Sequence, residues 1–429
     1  MYTKYGRLLK NAFDGSTAIY FTYHANDWMM DRCVICKGKG LCGRPRCPIL
    51  ERFKAVETIP VSDNLFGASP PSVFVGRKGY PDIFAGPLVP PNVGDSEARQ
   101  YDDPKELLKI GIDEVIGLRS RLVRSYTRMD VKDAKSPTNP FLLTSQELAM
   151  AEVPVDTEVW FTKPVDVNVA FDGTLMPMGP AGEIKNIALA ENPKVPGKVD
   201  YLVSDTDVLA ADSIRELHRH DISQHHITRM FSIGLLGRER RLVPTRWSIT
   251  AIDDMVGKML LDDMRDYPEI RDIILFTSEK FGNHFEILLI PRCFSFELIE
   301  IWHPNSVWSE KLWIGSDREG HGGKKGYSSL AGGYYAARTA AVEYLHAIRR
   351  QASVFLVREI LPDYWAPLGV WVIREAVRDA LAGRGMRFDS VGGALSEMQT
   401  RIRTPHDQWR DEMQLLDECR FQRMLMEFL

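Results

Sequence analysis

No apolar run in the chain approaches the roughly 18 residues a membrane-crossing helix needs. The first ten residues, Met1 to Lys10, hold no apolar core of the signal-peptide kind. The expectation from both absences is a cytoplasmic protein, neither secreted nor membrane-bound. Charge of one sign is not in excess either: 54 Lys and Arg stand against 58 Asp and Glu, a net −4 over 429 residues. That excludes a uniformly basic nucleic-acid coat, so any DNA contact has to come from local patches. No internal repeat is evident, and G-x-S-x-G and H-E-x-x-H are missing. What remains is 44% hydrophobic, 26% charged and 10% aromatic, which rules out wholesale disorder or a fibrous architecture. A chain of this length suggests two or three domains.

Cysteine is scarce, with six residues in all, yet four of them fall within fifteen positions. Cys33, Cys36, Cys42 and Cys47 lie in the string CVICKGKGLCGRPRC, spaced C-x2-C-x5-C-x4-C. A C-x2-C turn delivers two sulfurs to one side of an ion, and four thiolates satisfy tetrahedral zinc. Gly38, Gly40 and Gly43 permit the tight backbone such a knuckle needs. The expected cofactor is structural Zn2+. A disulfide pair suits a small secreted domain better than this chain, and a four-cysteine iron–sulfur cluster uses the same ligand number. Lys37, Lys39, Arg44 and Arg46 alternate with the ligands; they either contact phosphate or offset the charge of the tetrathiolate centre. Cys293 and Cys419 read as ordinary thiols.

Seven prolines between Pro60 and Pro91 forbid long helices there and predict short extended pieces. Pro104 to Met129 reads as helical, with Leu107, Leu108, Val115, Ile116, Leu118 and Leu122 on one side. Residues 153–203 read as strands, with Ile184–Leu189 pairing on Val165–Phe171. Asp205–Asp207 reads as the cap of a helix over Val208–Arg219, and 251–266 as another helix. Ile273–Thr277, His284–Ile290 and Phe294–Trp302 predict a β-meander. Helices are expected at Tyr334–Arg350 and Val370–Ala382, around a strand-like SVFLVREI. Strand and helix runs without βα alternation predict an α+β fold, a mixed or antiparallel sheet with packed helices and a small N-terminal zinc knuckle.

The chain ends in Gln422-Arg-Met-Leu425-Met-Glu-Phe428-Leu429, which fits the Q-x-x-h-x-x-a-h box that docks on DNA sliding clamps. Leu425 and Phe428, three apart on a helical turn, form the anchor pair. Leu429 stands where an aromatic is commonest. The other reading is an amphipathic helix through Trp409, Met413 and Leu416 that packs on its own domain.

Together these features resemble the archaeal Nre family, described as DNA repair proteins. Its CVLCKGRGLCGRPRCP-type zinc motif is matched almost letter for letter by Cys33–Pro48, and its terminal clamp box by Gln422, Leu425, Phe428 and Leu429. LVPTRWSITAIDD (Leu242–Asp254) and YYAAR (Tyr334–Arg338) also look like family signatures. The change of texture after Trp302, where a Gly-rich loop follows, puts a domain boundary near residue 305. With the resemblance, the expected organisation is an N-terminal segment with the knuckle over 1–55, an Nre N-terminal domain over 56–305, an Nre C-terminal domain over 306–421 and a clamp-binding tail over 422–429. The resemblance further implies DNA and the sliding clamp PCNA as partners, but no agreed reaction.

Chemistry has to be sought in the residues. Arg238, Arg240, Arg241 and Arg246 lead into Asp253 and Asp254: arginines for phosphates, paired carboxylates for Mg2+. The plain alternative is a basic loop before an acid-enriched helix start. Arg119, Arg121, Arg124 and Arg128 fall on the predicted helix, the last three on one face that suits DNA phosphates or an ion-paired surface. A Gly-rich loop over Gly315–Gly333 carries His321, Lys324, Lys325 and Tyr327 ahead of a helix; it is not a P-loop, and reads as a flexible phosphate-contacting loop or a linker. His218, His220, His225 and His226 match no known metal signature. The leading expectation is a DNA repair factor; the alternative is a metal- or nucleotide-dependent enzyme acting on DNA or a phosphate-containing ligand, with Arg246, Asp253 and Asp254 in its site.

Overall fold

The computed structural model describes residues 36, 39–41, 46–56, 62–165, 179–307 and 309–421. They fall into two compact units, one of the residues up to Val256 and one of those from Gly257 onward.

The first unit runs α1 (Pro48–Val56), β1 (Asn64–Ser69), β2 (Val73–Val75), β3 (Asp82–Val89), α2 (Asp95–Gln100), α3 (Pro104–Leu107), α4 (Ile112–Arg121) and β4 (Val123–Asp130). It continues with α5 (Pro140–Met150), β5 (Val155–Phe161), β6 (Ala181–Leu189), α6 (Gly197–Ser204), α7 (Ala210–Arg219) and α8 (Gln224–Ser232), and α9 (Thr245–Asp263) begins in it. The six strands form one sheet in the order β1-β5-β6-β4-β3-β2, antiparallel except where β4 runs parallel to β6. Side chains alternate across a strand, and β5 obeys this strictly: Val155, Thr157, Val159 and Phe161 are buried, while Asp156, Glu158 and Trp160 are partly exposed. Leu65, Val89, Val123, Val159, Phe161, Ile184 and Ile187 join Val56 of α1 in one core on the inner face.

In the second unit, β7 (Ile273–Lys280), β8 (Asn283–Ile290), β9 (Ser295–Trp302) and β10 (Trp313–Glu319) precede α10 (Gly332–Ala347) and β11 (Ser353–Ile360). After them come α11 (Trp371–Ala382), β12 (Met386–Phe388), α12 (Val391–Arg401) and α13 (Gln414–Phe421). The sheet order is β10-β9-β11-β8-β7-β12. One face carries Leu288, Ile299, Ile301, Phe355 and Val357 into a core with Met398, Trp409, Met413 and Leu416. The opposite face receives α10, where Tyr334 meets Phe296 edge-on at 5.1 Å and Tyr344 meets Phe276 at 5.7 Å. Phe281 and Gly282 close the β7–β8 hairpin with φ of 53° and 73°, as a two-residue turn requires. A Cβ at Gly282 would come within 2.7 Å of the Tyr364 backbone nitrogen.

The α+β class holds, and several local expectations need correction. The helix predicted over Pro104–Met129 stops at Arg121; Leu122 turns to an extended conformation (φ −68°, ψ 106°) and Val123–Asp130 is a strand. Pairing on both edges with β3 and β6 outweighs the helical period, helped by Val123, Tyr126 and Thr127, which favour strands. Within 153–203, Gly197–Ser204 is a helix, and β6 pairs with β5 along Ile184–Leu189 and with β4 along Ala181–Glu183; of the expected partner Val165–Phe171, residues 166–171 lie outside the described residues. Asp205 does not cap α7, whose N-cap is Leu209; its carboxylate accepts the backbone N–H groups of Asp207 and Val208 in the preceding turn. The meander is interrupted: β11 sits between β8 and β9, antiparallel to the first and parallel to the second. The helix expected at 251–266 starts six residues earlier, at Thr245.

Candidate functional site

Of the cysteine motif, Cys33, Cys42, Lys37 and Arg44 lie outside the described residues. Cys36 is buried, and its carbonyl accepts the Lys39 N–H at 2.8 Å, closing a tight turn that runs into Gly40 at φ 76°. Cys47 sits directly before α1, with its carbonyl accepting the Glu51 N–H at 3.1 Å. A turn behind one cysteine and a helix start behind another suit a compact thiolate knuckle. Lys39 is exposed, whereas Arg46 pairs with Asp113 at 2.5 Å. Among the described residues no three His, Cys, Asp or Glu side chains gather as a metal site.

The arginine face predicted on a helix does not exist as such. Arg121 ends α4, over the Tyr101 ring at 5.3 Å and 3.8 Å from Glu97. Arg124 and Arg128 lie on β4, where they share the outer face of the sheet with Tyr126. The register places Phe84 of β3 opposite Arg128, and Phe74 of β2 opposite Gly86. Phe84 meets Tyr126 edge-on at 5.1 Å, and the Arg124 guanidinium stands 5.7 Å from the Phe74 ring centre. Arg128 pairs with Asp82 at 2.5 Å. Phe84 is 43% exposed. At the tip of the β2–β3 hairpin Arg77 and Lys78 are exposed, and Tyr80 just beyond them packs on Trp247 at 5.4 Å.

Leu242–Asp254 ties the first unit together. The Leu242 N–H donates to the Val131 carbonyl, and that of Val243 to Ser232, both at 2.8 Å. The Thr245 hydroxyl accepts the Val75 N–H of β2 at 2.9 Å. Asp253, one of the proposed Mg2+ ligands, is fully buried and accepts the Gln224 side-chain amide at 2.5 Å. Asp254 is buried too, while Arg246 is exposed. Because α9 starts at Thr245, the two acids fall in its third turn, away from the helix start.

Next to this segment is a cluster that sequence reasoning missed. Asp102 is buried and accepts hydrogen bonds from Arg119 at 2.5 Å, from the His225 ring at 2.7 Å and from the Ser72 hydroxyl. Burial alone would push its carboxyl up; the His225 and Arg119 charges and the His225 hydrogen bond outweigh that and hold it below the usual carboxylate range. Asp102 stands between Ser72 and His225, so the imidazole cannot act as the base for that hydroxyl as it does in a hydrolase triad. His226 is pushed down to about 2, by burial first and then by the Arg229 and His225 charges. It is neutral at pH 7. His220 binds the Glu216 carbonyl of its own helix, so the four histidines do not converge.

In the second unit, the first five residues of the Gly315–Gly333 stretch are strand β10. In the remainder, Lys324, Ser328 and Ser329 are held by specific contacts. Lys324 is paired with Asp317 and stands 4.9 Å from the centre of the Tyr334 ring. Asp317 also accepts the Ser329 N–H at 2.9 Å, and Tyr335 accepts that of Ser328 at 3.0 Å. Lys325 is exposed. Arg338, fully buried, pairs with Glu319 at 3.3 Å, so Tyr334–Arg338 is the buried wall against which this loop folds.

The segments Leu242–Asp254 and Tyr334–Arg338 thus each organise one unit. The model of the archaeal Nre N-terminal region matches residues 41–309, and that of the C-terminal region matches 319–428. The chain belongs to the archaeal Nre family. It is 43% identical over 382 residues to DNA repair protein NreA of Archaeoglobus fulgidus, covering 88% of this chain and 95% of the relative. It is 35% identical over 399 residues to DNA repair protein NreB of the same organism, covering 92% and 100%. Against DNA repair protein NreA of Haloferax volcanii it is 36% identical over 360 residues, covering 81% and 84%.

Within this Nre chain the family regions meet between 309 and 319, inside a sheet whose strands come from both sides of that point. The compact units divide instead between Val256 and Gly257, because β11 hydrogen-bonds to β8 and β9. The outer-face aromatics Phe74 and Phe84 were overlooked. Their signal was available: Arg124, Tyr126 and Arg128 alternate with Val123, Ser125, Thr127 and Met129, a period-two pattern masked by the helical one before it. Among the described residues of this Nre chain no helix is long and apolar enough to cross a membrane.

Proposed function

We propose that this chain is a DNA repair factor that reaches its substrate through the sliding clamp PCNA, docking by Gln422, Leu425, Phe428 and Leu429. It touches DNA through local basic surfaces, and zinc held by Cys33, Cys36, Cys42 and Cys47 fixes its N-terminal region. The observation that carries the repair reading is coverage: relatives named DNA repair proteins are matched over 95% and 100% of their own length, not over one shared module. The clamp box lies outside the described residues and rests on its sequence pattern. Trp409, Met413 and Leu416, which bury against the chain's own sheet, all precede it. The rival enzyme reading gains nothing from Asp253, whose carboxylate is buried against Gln224.

Deleting residues 422–429, or Phe428→Ala, is expected to abolish binding in a titration against the clamp while leaving the unfolding curve unchanged. Unchanged clamp affinity would refute the docking assignment. Elemental analysis of protein purified without chelator is expected to find about one zinc per chain, lost on Cys36→Ser. Iron, or no metal, overturns the zinc site. Zinc here would supply a structural crosslink within the fifteen-residue segment Cys33–Cys47.

A further inference from the structure

We propose that the outer face of β2, β3 and β4 is a platform for single-stranded DNA, an inference that rests on the DNA repair reading and names the form of DNA. Aromatic side chains on an outward sheet face contribute nothing to the core beneath. Here three of them, Phe74, Phe84 and Tyr126, lie on adjacent strands of one face, with Phe84 and Tyr126 in edge contact at 5.1 Å. Cations are interleaved with them: Arg124 beside Phe74 at 5.7 Å, and Arg128 directly opposite Phe84. Arg77 and Lys78 extend the positive charge along the hairpin that joins β2 to β3. The acids on these strands and beside them are engaged: Asp82 by Arg128 at 2.5 Å, Asp130 by the Lys132 N–H at 2.8 Å, and Glu183 of β6, opposite Tyr126, by the Thr162 hydroxyl at 3.3 Å.

Stacking rings flanked by cations match the two surfaces an unpaired strand offers, its base faces and its phosphates. A duplex hides its base faces and is read from its grooves by an inserted helix or ribbon, which this sheet face does not present. RNA shares the exposed bases and phosphates, and the experiment separates the two. A base stacks on Phe84 and Tyr126, while Arg124 and Arg128 hold the flanking phosphates.

The test is fluorescence anisotropy with the full chain and three labelled probes, a dT20 strand, an rU20 strand and a 20-base-pair duplex, at matched salt. The dT20 strand is expected to bind tightest. Phe84→Ala and Phe84→Leu should each weaken it about tenfold or more, and Phe84→Trp should preserve it, because what is lost is a π-face and not volume. Arg128→Gln should reduce the slope of log K against log salt by about 0.7. Phe84→Leu binding dT20 like the unaltered protein overturns the platform, as does a duplex bound as tightly as dT20. An rU20 strand bound more tightly than dT20 overturns the DNA assignment. The repair reading fails separately, if none of the three probes binds and the clamp does not restore binding.

Discussion

Replacing Arg358 by methionine is expected to destabilise the second unit by about 3–5 kcal/mol, the cost of leaving one half of a buried ion pair behind. Arg358 is 3% exposed at the centre of the sheet. Its guanidinium donates to Glu300 at 2.7 Å and twice to the Asn283 side-chain oxygen, at 3.0 and 2.6 Å. The Trp302, Tyr364 and Phe285 rings stand 5.3, 5.9 and 6.0 Å from its carbon. Methionine fills much of the volume but strands the Glu300 charge and the Asn283 oxygen together. Lysine should recover little, since a point charge cannot serve two acceptors that the planar fork spans. The double variant Arg358→Met, Glu300→Leu should regain most of the loss, because the stranded charge goes with it. Urea unfolding measures all three. A single variant within about 1 kcal/mol of the parent would show that the pair contributes no more than an exposed one.

In the first unit the corresponding expectation falls on Asp102. Asp102→Ala leaves Arg119 without its buried carboxylate and removes the acceptor used by His225 and Ser72, again a loss of about 3–5 kcal/mol. The pH dependence has a definite sign. The native carboxyl is held below its ordinary value, so its contribution is complete above the unfolded pKa near 3.8 and disappears as pH falls through the lower native value. Asp102→Asn keeps the shape and abolishes that dependence. Its acid-unfolding profile should be flatter than the parent's below about pH 4. Identical profiles would mean that Asp102 is not the group that titrates.

Local signals in the sequence anticipated the elements that depend on local pattern. The helix around 251–266, the β7–β8 hairpin and the SVFLVREI strand are each set by periodicity and turn chemistry within a dozen residues. Strand partners were not legible, because pairing β11 between β8 and β9 brings together residues some sixty positions apart. The arginines at 124 and 128 show a subtler failure. The helical pattern of α4 runs into β4 with no glycine or proline at Leu122, so only the sheet on either side reveals the switch. The Asp102 cluster drew its members from four separate segments, and no spacing within any one of them announces it. Asp253 and Asp254 show the reverse: a pattern that suggested metal chemistry is, in the fold, a helix interior anchored to α8 through Gln224.

The placement of β11 also governs how the chain can be made. Until residues 353–360 have left the ribosome, β8 and β9 have no strand between them, and each holds a row of unsatisfied amides and carbonyls. A nascent chain halted near residue 305 would carry an open edge on β8 and a β9 lacking both of its sheet neighbours, β11 and β10, apolar surfaces of the kind that recruit strands from other chains. The sheet of the second unit therefore cannot close before β11 is made. Expression fragments cut at the junction of the two family regions should be expected to aggregate, whereas those cut near Val256 respect the hydrogen bonding of both sheets.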